Sequence, residues 1–578
     1  MRLPLILLLA TALSVFSQPN PDLHKLFRDY YELTLRESPE SATGAGRNEY
    51  NDRWTDWSLK ALAEEKQHRQ EYLKRLEPFR HANLDPQDRL SFELLEYDLR
   101  NSLEELTRLR NYEVVNHFFG PHLGIFSTIA LAPAQTAKDY QDRIARIRAI
   151  PALVNGMIEA AEEARAKGMI PPRVVIDRLI GQLDTQRKAT PEQSPLLAAF
   201  RKMPASIPAA EQQRLRQAAT QAYTQAFQPA WQRYRSFVAD SYTPKPRTTL
   251  SIADLPDGKA NYAFLVRERT TTDLTPEQIH ETGKREVERI TAEMAAIRKE
   301  VNFTGTPEEF NDKVLNAPEM RFKTEAEILV HGRDIAKRID PELPRLFRIL
   351  PRTPYGVRAI PADRARTSAP YYEPPALDGS RAGNFYLRTA DPETQSKCCM
   401  EALILHEAVP GHHLQVALAR ELQGIPDFRK ASFHTAYVEG WGLYAESLGP
   451  DLNMYQTPYE RYGRLQSELM RALRLVTDTG LHHYGWTRDQ AIATMSKSKG
   501  GWINDDVVSS EVDRYIAIPG QALAYKVGEL KIKELRARAE KKLGPKFDVR
   551  EFHDVVLRNG SLPLTILERE VDRWLATK

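Results

Sequence analysis

At 578 residues the chain is too long for one small hydrophobic core, and two lobes or subdomains are expected. An apolar content of 42% with 28% charged residues excludes an intrinsically disordered chain. The net charge of only +3, with acids and bases interspersed as in RDYYELTLRE and KIKELRARAEKK, gives no support for nucleic-acid binding and describes solvated helix faces.

From the N-terminus, Arg2 precedes LPLILLLATALSVF, an apolar stretch too short to span a bilayer comfortably. Val15 and Ser17 suit signal-peptidase cleavage after Ser17. Residues 1–17 are therefore expected to be a signal peptide, and the rest to be periplasmic or secreted, with no stable membrane insertion. The two cysteines, Cys398 and Cys399, lie far from that point, which disfavours lipidation. Being adjacent, they cannot form an ordinary unstrained disulfide with one another, and buried packing is their expected role.

Residues 20–240 read as successive amphipathic helices, including 54–77, 86–110, 135–167 and 209–240, without a fixed-period repeat. The Pro-, Thr- and Gly-rich segment 242–260 suits a hinge, dividing an N-terminal helical half (18–250) from a C-terminal half (251–578), where the candidate chemistry lies. Four capping boxes, Thr275 with Gln278, Thr306 with Glu309, Thr457 with Glu460 and Thr487 with Gln490, each open a further helix. The departure from helix is 349–393, where prolines and glycines break alternating apolar residues into short strands and loops. The expected fold is mainly α, a large multi-helix shell enclosing a central cleft, with a small hairpin or edge-strand region before the next helix. Gly383–Leu387 is the strand candidate there; it would either offer an edge to a substrate backbone or close a flap with no substrate role.

Residues 403–417, LILHEAVPGHHLQVA, carry the chemistry. Imidazoles near a glutamate are what a helix-borne catalytic zinc needs: neutral nitrogens as ligands and a carboxylate to activate water. The spacing is unusual, because Pro410 stands where a second histidine four residues after His406 would be. In a regular helix His412 would lie about 9 Å up the axis and about 120° off the face of His406, and His413 on the right face but about 10.5 Å away. Pro410 and Gly411 predict a kink or bulge that swings His412 back, which favours His412 over His413 as the second ligand. Farther on, AYVEGWGLYAESL offers Glu439 as a third ligand and Glu446, two turns along the same face, as a hydrogen-bond partner orienting a ligand histidine.

HEAVPGHHLQ, VEGWGLYAE, DTGLHHYGW and DRYIAIPGQALAYKVG, together with the earlier SPESATGAGRNEYNDRW, LDPQDRLSFELLEYDL and NYAFLVRERTTTDLTPEQIHETG, resemble the blocks of the domain of unknown function 885 family over roughly residues 21–575. That family looks like a divergent branch of helical zinc peptidases. The resemblance implies one zinc per chain, held by His406, His412 and Glu439, with Glu407 as general base. His482, Arg514, Tyr515 and Tyr525 are candidates to meet an oxyanion or substrate. Arg514 could instead hold a terminal carboxylate, as in a carboxypeptidase, or form an internal ion pair with Glu511 or Asp513. The expected activity is a metallocarboxypeptidase or oligopeptidase acting on short peptides. The alternatives are a non-catalytic secreted binding protein and a metal-dependent hydrolase of other amides or esters.

Overall fold

All four threonine boxes form. Thr275, Thr306, Thr457 and Thr487 each accept the N–H three residues on, and the glutamine or glutamate there accepts the threonine's own N–H. A fifth, Thr136 with Asp139, escapes the usual pattern because aspartate replaces glutamate. The computed structural model describes residues 19–578 except 110, 111, 113, 245, 362–364, 366–368, 378, 380 and 499–503. The signal peptide expected over 1–17, with its cleavage point at Ser17, lies outside the described residues.

The described chain is about 70% helical with one small sheet, so the fold is mainly α. The helix expected at 54–77 spans Leu59–Leu76 and that at 86–110 spans Pro86–Arg108. The 135–167 segment is two helices, Ala137–Arg148 and Ile150–Ala166, because Pro151 removes a donor at the junction. The 209–240 segment is continuous, with one π turn at Tyr223–Phe227 between Ala209–Ala222 and Gln228–Ser241. One apolar core is built from Trp54 and residues 114–242. A larger one joins Leu23–Tyr112 to Ile252–Leu575, so packing runs across the 242–260 segment.

The elements that position the site begin with α1 (Pro276–Glu300) and the strands β1 (Tyr355–Ala359), β2 (Tyr371–Glu373) and β3 (Gly383–Leu387). They continue with α2 (Met400–Glu407), α3 (His412–Glu421), α4 (Thr435–Ser447), α5 (Pro458–His482), α6 (Asp505–Ala517) and α7 (Ala524–Leu543). From Tyr462 to His482 almost every residue of α5 is buried, including Ser467, Glu468, Arg471, Arg474 and Asp478. So many polar groups in one buried helix are stable only when matched by partners, and those partners make the site.

The sheet corrects one expectation. Gly383–Leu387 is a strand, but the central one: β1 pairs with it in parallel (Tyr355 opposite Gly383) and β2 antiparallel (Tyr371 opposite Tyr386). With neighbours on both sides, β3 has no free edge for a substrate strand.

Candidate metal centre

The helix carrying His406 stops at Glu407, and a new one starts at His412. Between them Ala408 (φ −100°, ψ −110°) and Gly411 (φ −73°, ψ −129°) leave helical geometry, and the Val409–Pro410 peptide is cis. Gly411 is required by close approach: a Cβ there would stand 1.9 Å from the His406 carbonyl oxygen and 2.4 Å from that of Leu405. The turn is held by the His413 N–H donating to Ala408 O at 3.0 Å and by the Trp441 indole donating to Pro410 O at 2.8 Å. The distortion expected from Pro410 is thus a complete break. It brings the His412 ring to 4.7 Å from that of His406, between centroids and nearly perpendicular.

Glu439 arrives from α4, which packs along α7 with no side chain between the backbones. A Cβ on Gly440 would lie 2.4 Å from Gly528 Cα, and one on Gly528 1.9 Å from Ala436 O. This crossing seats Glu439 opposite the two histidines.

The Nε2 atoms of His406 and His412 each lie 3.5 Å from Glu439 Oε2, and the three ligand atoms fall within 4.8 Å of one another. Donors about 2.1 Å from one tetrahedral zinc stand roughly 3.4 Å apart, so the set fits the ion. His406 Nδ1 meets Glu446 Oε1 at 2.9 Å, and Glu446 is 1% exposed. That contact directs the Nδ1 proton to Glu446 and leaves Nε2 as a lone-pair donor, the usual arrangement behind a metal-binding histidine. Ser467 donates to Glu446 Oε2 at 2.9 Å, Arg471 donates to Ser467 at 2.6 Å, and the Arg471 guanidinium stands 3.7 Å from Glu446.

Electrostatics follow from this enclosure. Burial alone would lower the His406 pKa, but Glu439 and Glu446 carry it up to about 9. Burial would raise Glu439, yet His406 and His412 hold it well below the usual carboxylate range. Glu407, half-buried beside them, is pushed up by burial, against the attraction of His412 and His406. A divalent cation bound there would supply the positive charge that Glu439 and Glu446 favour at His406.

The remaining sequence candidates divide. His413 turns away: Nδ1 meets the Tyr372 hydroxyl at 2.9 Å and Nε2 the Thr353 carbonyl at 3.1 Å, and burial lowers its pKa to about 4. His482 is fully enclosed and has no free nitrogen. Nδ1 accepts from Ile252 N at 3.2 Å and Nε2 meets Tyr515 O at 2.9 Å, so it is a joint between helices and not a donor to substrate. The Tyr515 hydroxyl, also enclosed, is spent on Glu511 at 2.9 Å. The Tyr525 ring lies nearly parallel to that of His406, 6.5 Å away between centroids, and its hydroxyl accepts from Arg514 at 3.2 Å. Arg514 also pairs with Glu511 at 3.3 Å, the internal partner the sequence offered, while Asp513 is taken by Arg178 and Arg488. Sequence reasoning missed Ser467, Arg471 and Arg474; the one available signal is their spacing along a single face of α5.

Comparison with known structures agrees with the fold. A crystal structure of a candidate lipoprotein from Colwellia psychrerythraea is 29% identical, with a TM-score of 0.91 over 96% of this chain and 99% of that one. A candidate lipoprotein of unknown function from Shewanella oneidensis, 18% identical, shares the fold at a TM-score of 0.72 over 95% and 99%. A candidate oligoendopeptidase F from Bacillus anthracis str. Ames, 11% identical, reaches a TM-score of only 0.29 over 90% and 96%, too low to carry any argument. No curated protein matches the chain. Residues 39–571 match the bacterial proteins of unknown function grouped as DUF885, and the chain belongs to that family.

Proposed function

We propose that this protein is a zinc-dependent hydrolase of amide bonds in short peptides. The observation that carries the reading is the convergence of His406, His412 and Glu439 within 4.8 Å, beside Glu407 and backed by the His406–Glu446 contact. A zinc ion held by those three side chains would supply Lewis acidity, polarising the amide carbonyl and acidifying the attacking water.

The chain's own groups then divide the labour. Glu407 takes the proton from water and hands it to the departing amine, and burial raises its proton affinity toward what that shuttle needs. Glu446, fixed by Ser467, keeps the His406 ring in one orientation. Tyr525, whose hydroxyl accepts from Arg514, is our candidate donor to the oxygen that gains negative charge.

Similarity to the two candidate lipoproteins supports placing this protein outside the cytoplasm, in keeping with the N-terminal apolar stretch. Among the described residues no helix is long and apolar enough to cross a membrane. The test is elemental analysis of protein purified without added metal, followed by digestion of a mixed peptide library. One zinc per chain with zinc-dependent cleavage is expected; a folded chain with neither overturns the proposal.

A further inference from the structure

Beside the candidate metal centre two guanidiniums share one carboxylate. Arg474 on α5 and Arg514 on α6 both pair with Glu511, at 2.7 and 3.3 Å, and the three side chains are 5%, 15% and 16% exposed. Their other partners are neutral. Arg474 Nε donates to the Tyr515 hydroxyl at 3.1 Å, and Arg514 Nη2 donates to Gln521 at 2.7 Å and Tyr525 at 3.2 Å. Arg474 Nη1 and Arg514 Nε are buried and have no hydrogen-bond partner among the described residues. The trio therefore holds one surplus positive charge and two unused donors where little water reaches, an arrangement that is costly unless an anion completes it.

The surplus is coupled to the metal centre through Tyr525. Its ring lies 4.5 Å from the Arg474 guanidinium and stacks parallel to His406. Tyr525 thus bridges the two, its ring 6.5 Å from that of His406 and its hydroxyl 3.2 Å from Arg514. Arg514 is the open end: its guanidinium faces the ring of Phe118 at 4.7 Å, and Phe118 is 37% exposed.

We infer that Arg514, backed by Arg474 and Tyr525, is the subsite for a substrate carboxylate near the scissile amide. This rests on the hydrolase reading above and narrows its substrates to acidic ones. The carboxylate is the free C-terminus of a peptide, which makes the enzyme exo-acting, or the side chain of an aspartate or glutamate. A planar guanidinium suits either by a paired hydrogen bond.

Binding, not turnover, tests it. The zinc-loaded Glu407→Gln protein, whose Arg514 is unaltered, is titrated calorimetrically with three probes: a neutral tripeptide as the free acid, the same tripeptide amidated, and an amidated tripeptide ending in glutamate. The free acid is expected to bind about thirtyfold or more tighter than its amide. If the amidated glutamate peptide recovers that affinity, the side-chain carboxylate is the ligand; if it does not, the C-terminus is. Adding Arg514→Gln should erase the difference, and Tyr525→Phe should weaken it. Equal binding of all three probes overturns the proposal, and so does a preference that survives Arg514→Gln in a folded protein. Zinc content and peptide cleavage judge the hydrolase reading separately. A carboxylate preference lost with Arg514→Gln, in a protein that neither holds zinc nor cleaves peptides, would keep the subsite and discard the hydrolase.

Discussion

Tyr525 and Lys526, neighbours on α7, face two buried polar clusters of opposite character. Lys526 is fully enclosed and meets three carboxylates, Glu529 at 2.6 Å, Glu468 at 2.7 Å and Glu286 at 3.0 Å, which uses every proton of its ammonium. Arg289 and Lys533 complete the neutralisation, and the network ties α1, α5 and α7 together. On the Tyr525 side, His412 Nδ1, Arg474 Nη1 and Arg514 Nε have no hydrogen-bond partner among the described residues, and the three candidate ligand atoms converge at distances too long for good hydrogen bonds. Both clusters are dense in charge, yet in the first each carboxylate is matched by a cation, Glu468 Oε2 by Arg464 at 3.1 Å, whereas the second leaves donor nitrogens over. The balance of charge against its counter-charge, more than burial, distinguishes the two clusters.

The sharpest way to break this comparison is Glu407→Gln. It should leave one zinc per chain and lower peptide cleavage by about 10²–10⁴-fold, since an amide is a very poor proton acceptor. Normal turnover in that variant would remove Glu407 as the base. Next, His412→Ala should release the zinc in elemental analysis, while His413→Ala, whose ring is held by Tyr372 and Thr353, should retain most of it. The opposite pattern would mean that the break at Pro410 does not aim His412 at Glu439.

In the first cluster, Lys526→Met should cost about 3–5 kcal/mol of stability by leaving buried carboxylates unpaired. Chemical denaturation would show that cost, and the folded fraction should still bind zinc; loss of zinc without loss of stability would merge the two clusters into one. Glu446→Gln should lower zinc affinity about 10- to 100-fold in competition with a chelator, because the His406 ring loses its anionic anchor.

The smallest effect is one of pH. Burial holds His482 neutral, with its pKa lowered to about 4 from the ordinary 6.5. Between those values the unfolded chain binds a proton that the folded chain refuses. Stability is therefore full above pH 6.5 and falls as the pH drops toward 4, by at most about 1.4 kcal/mol per pH unit for this residue. His482→Gln should flatten that slope in denaturation midpoints measured across the range; an unchanged slope would show that His482 already carries its proton in the fold.

What could be read from the sequence was what is local. The threonine boxes act within one helical turn, so all four could be placed. His406, Glu407 and His412 sit in one short segment, and Glu446 follows Glu439 by two turns on one face. What stayed hidden depends on distant pairings. β3 is central because its parallel partner β1 starts 28 residues earlier in register, at Tyr355 opposite Gly383, and no local pattern announces that. Arg471 and Arg474 acquire meaning only because α5 passes behind α2 and α4. His482 misled for the converse reason: its residue type suggests chemistry, but the carbonyl of Tyr515 and the N–H of Ile252 claim its ring.

The contact of Gly440 with Gly528 bears on how the molecule moves. Where two backbones touch, neither helix can slide without collision, so α4 and α7 act as one rigid post carrying Glu439 and Tyr525 together. On the proposed hydrolase reading, the give that a peptide needs falls to the loop where the exposed Phe118 meets Arg514 and Asn116 donates to the Ala517 carbonyl at the end of α6. On that reading, residues far in sequence from the candidate ligands would set the rate at which product leaves.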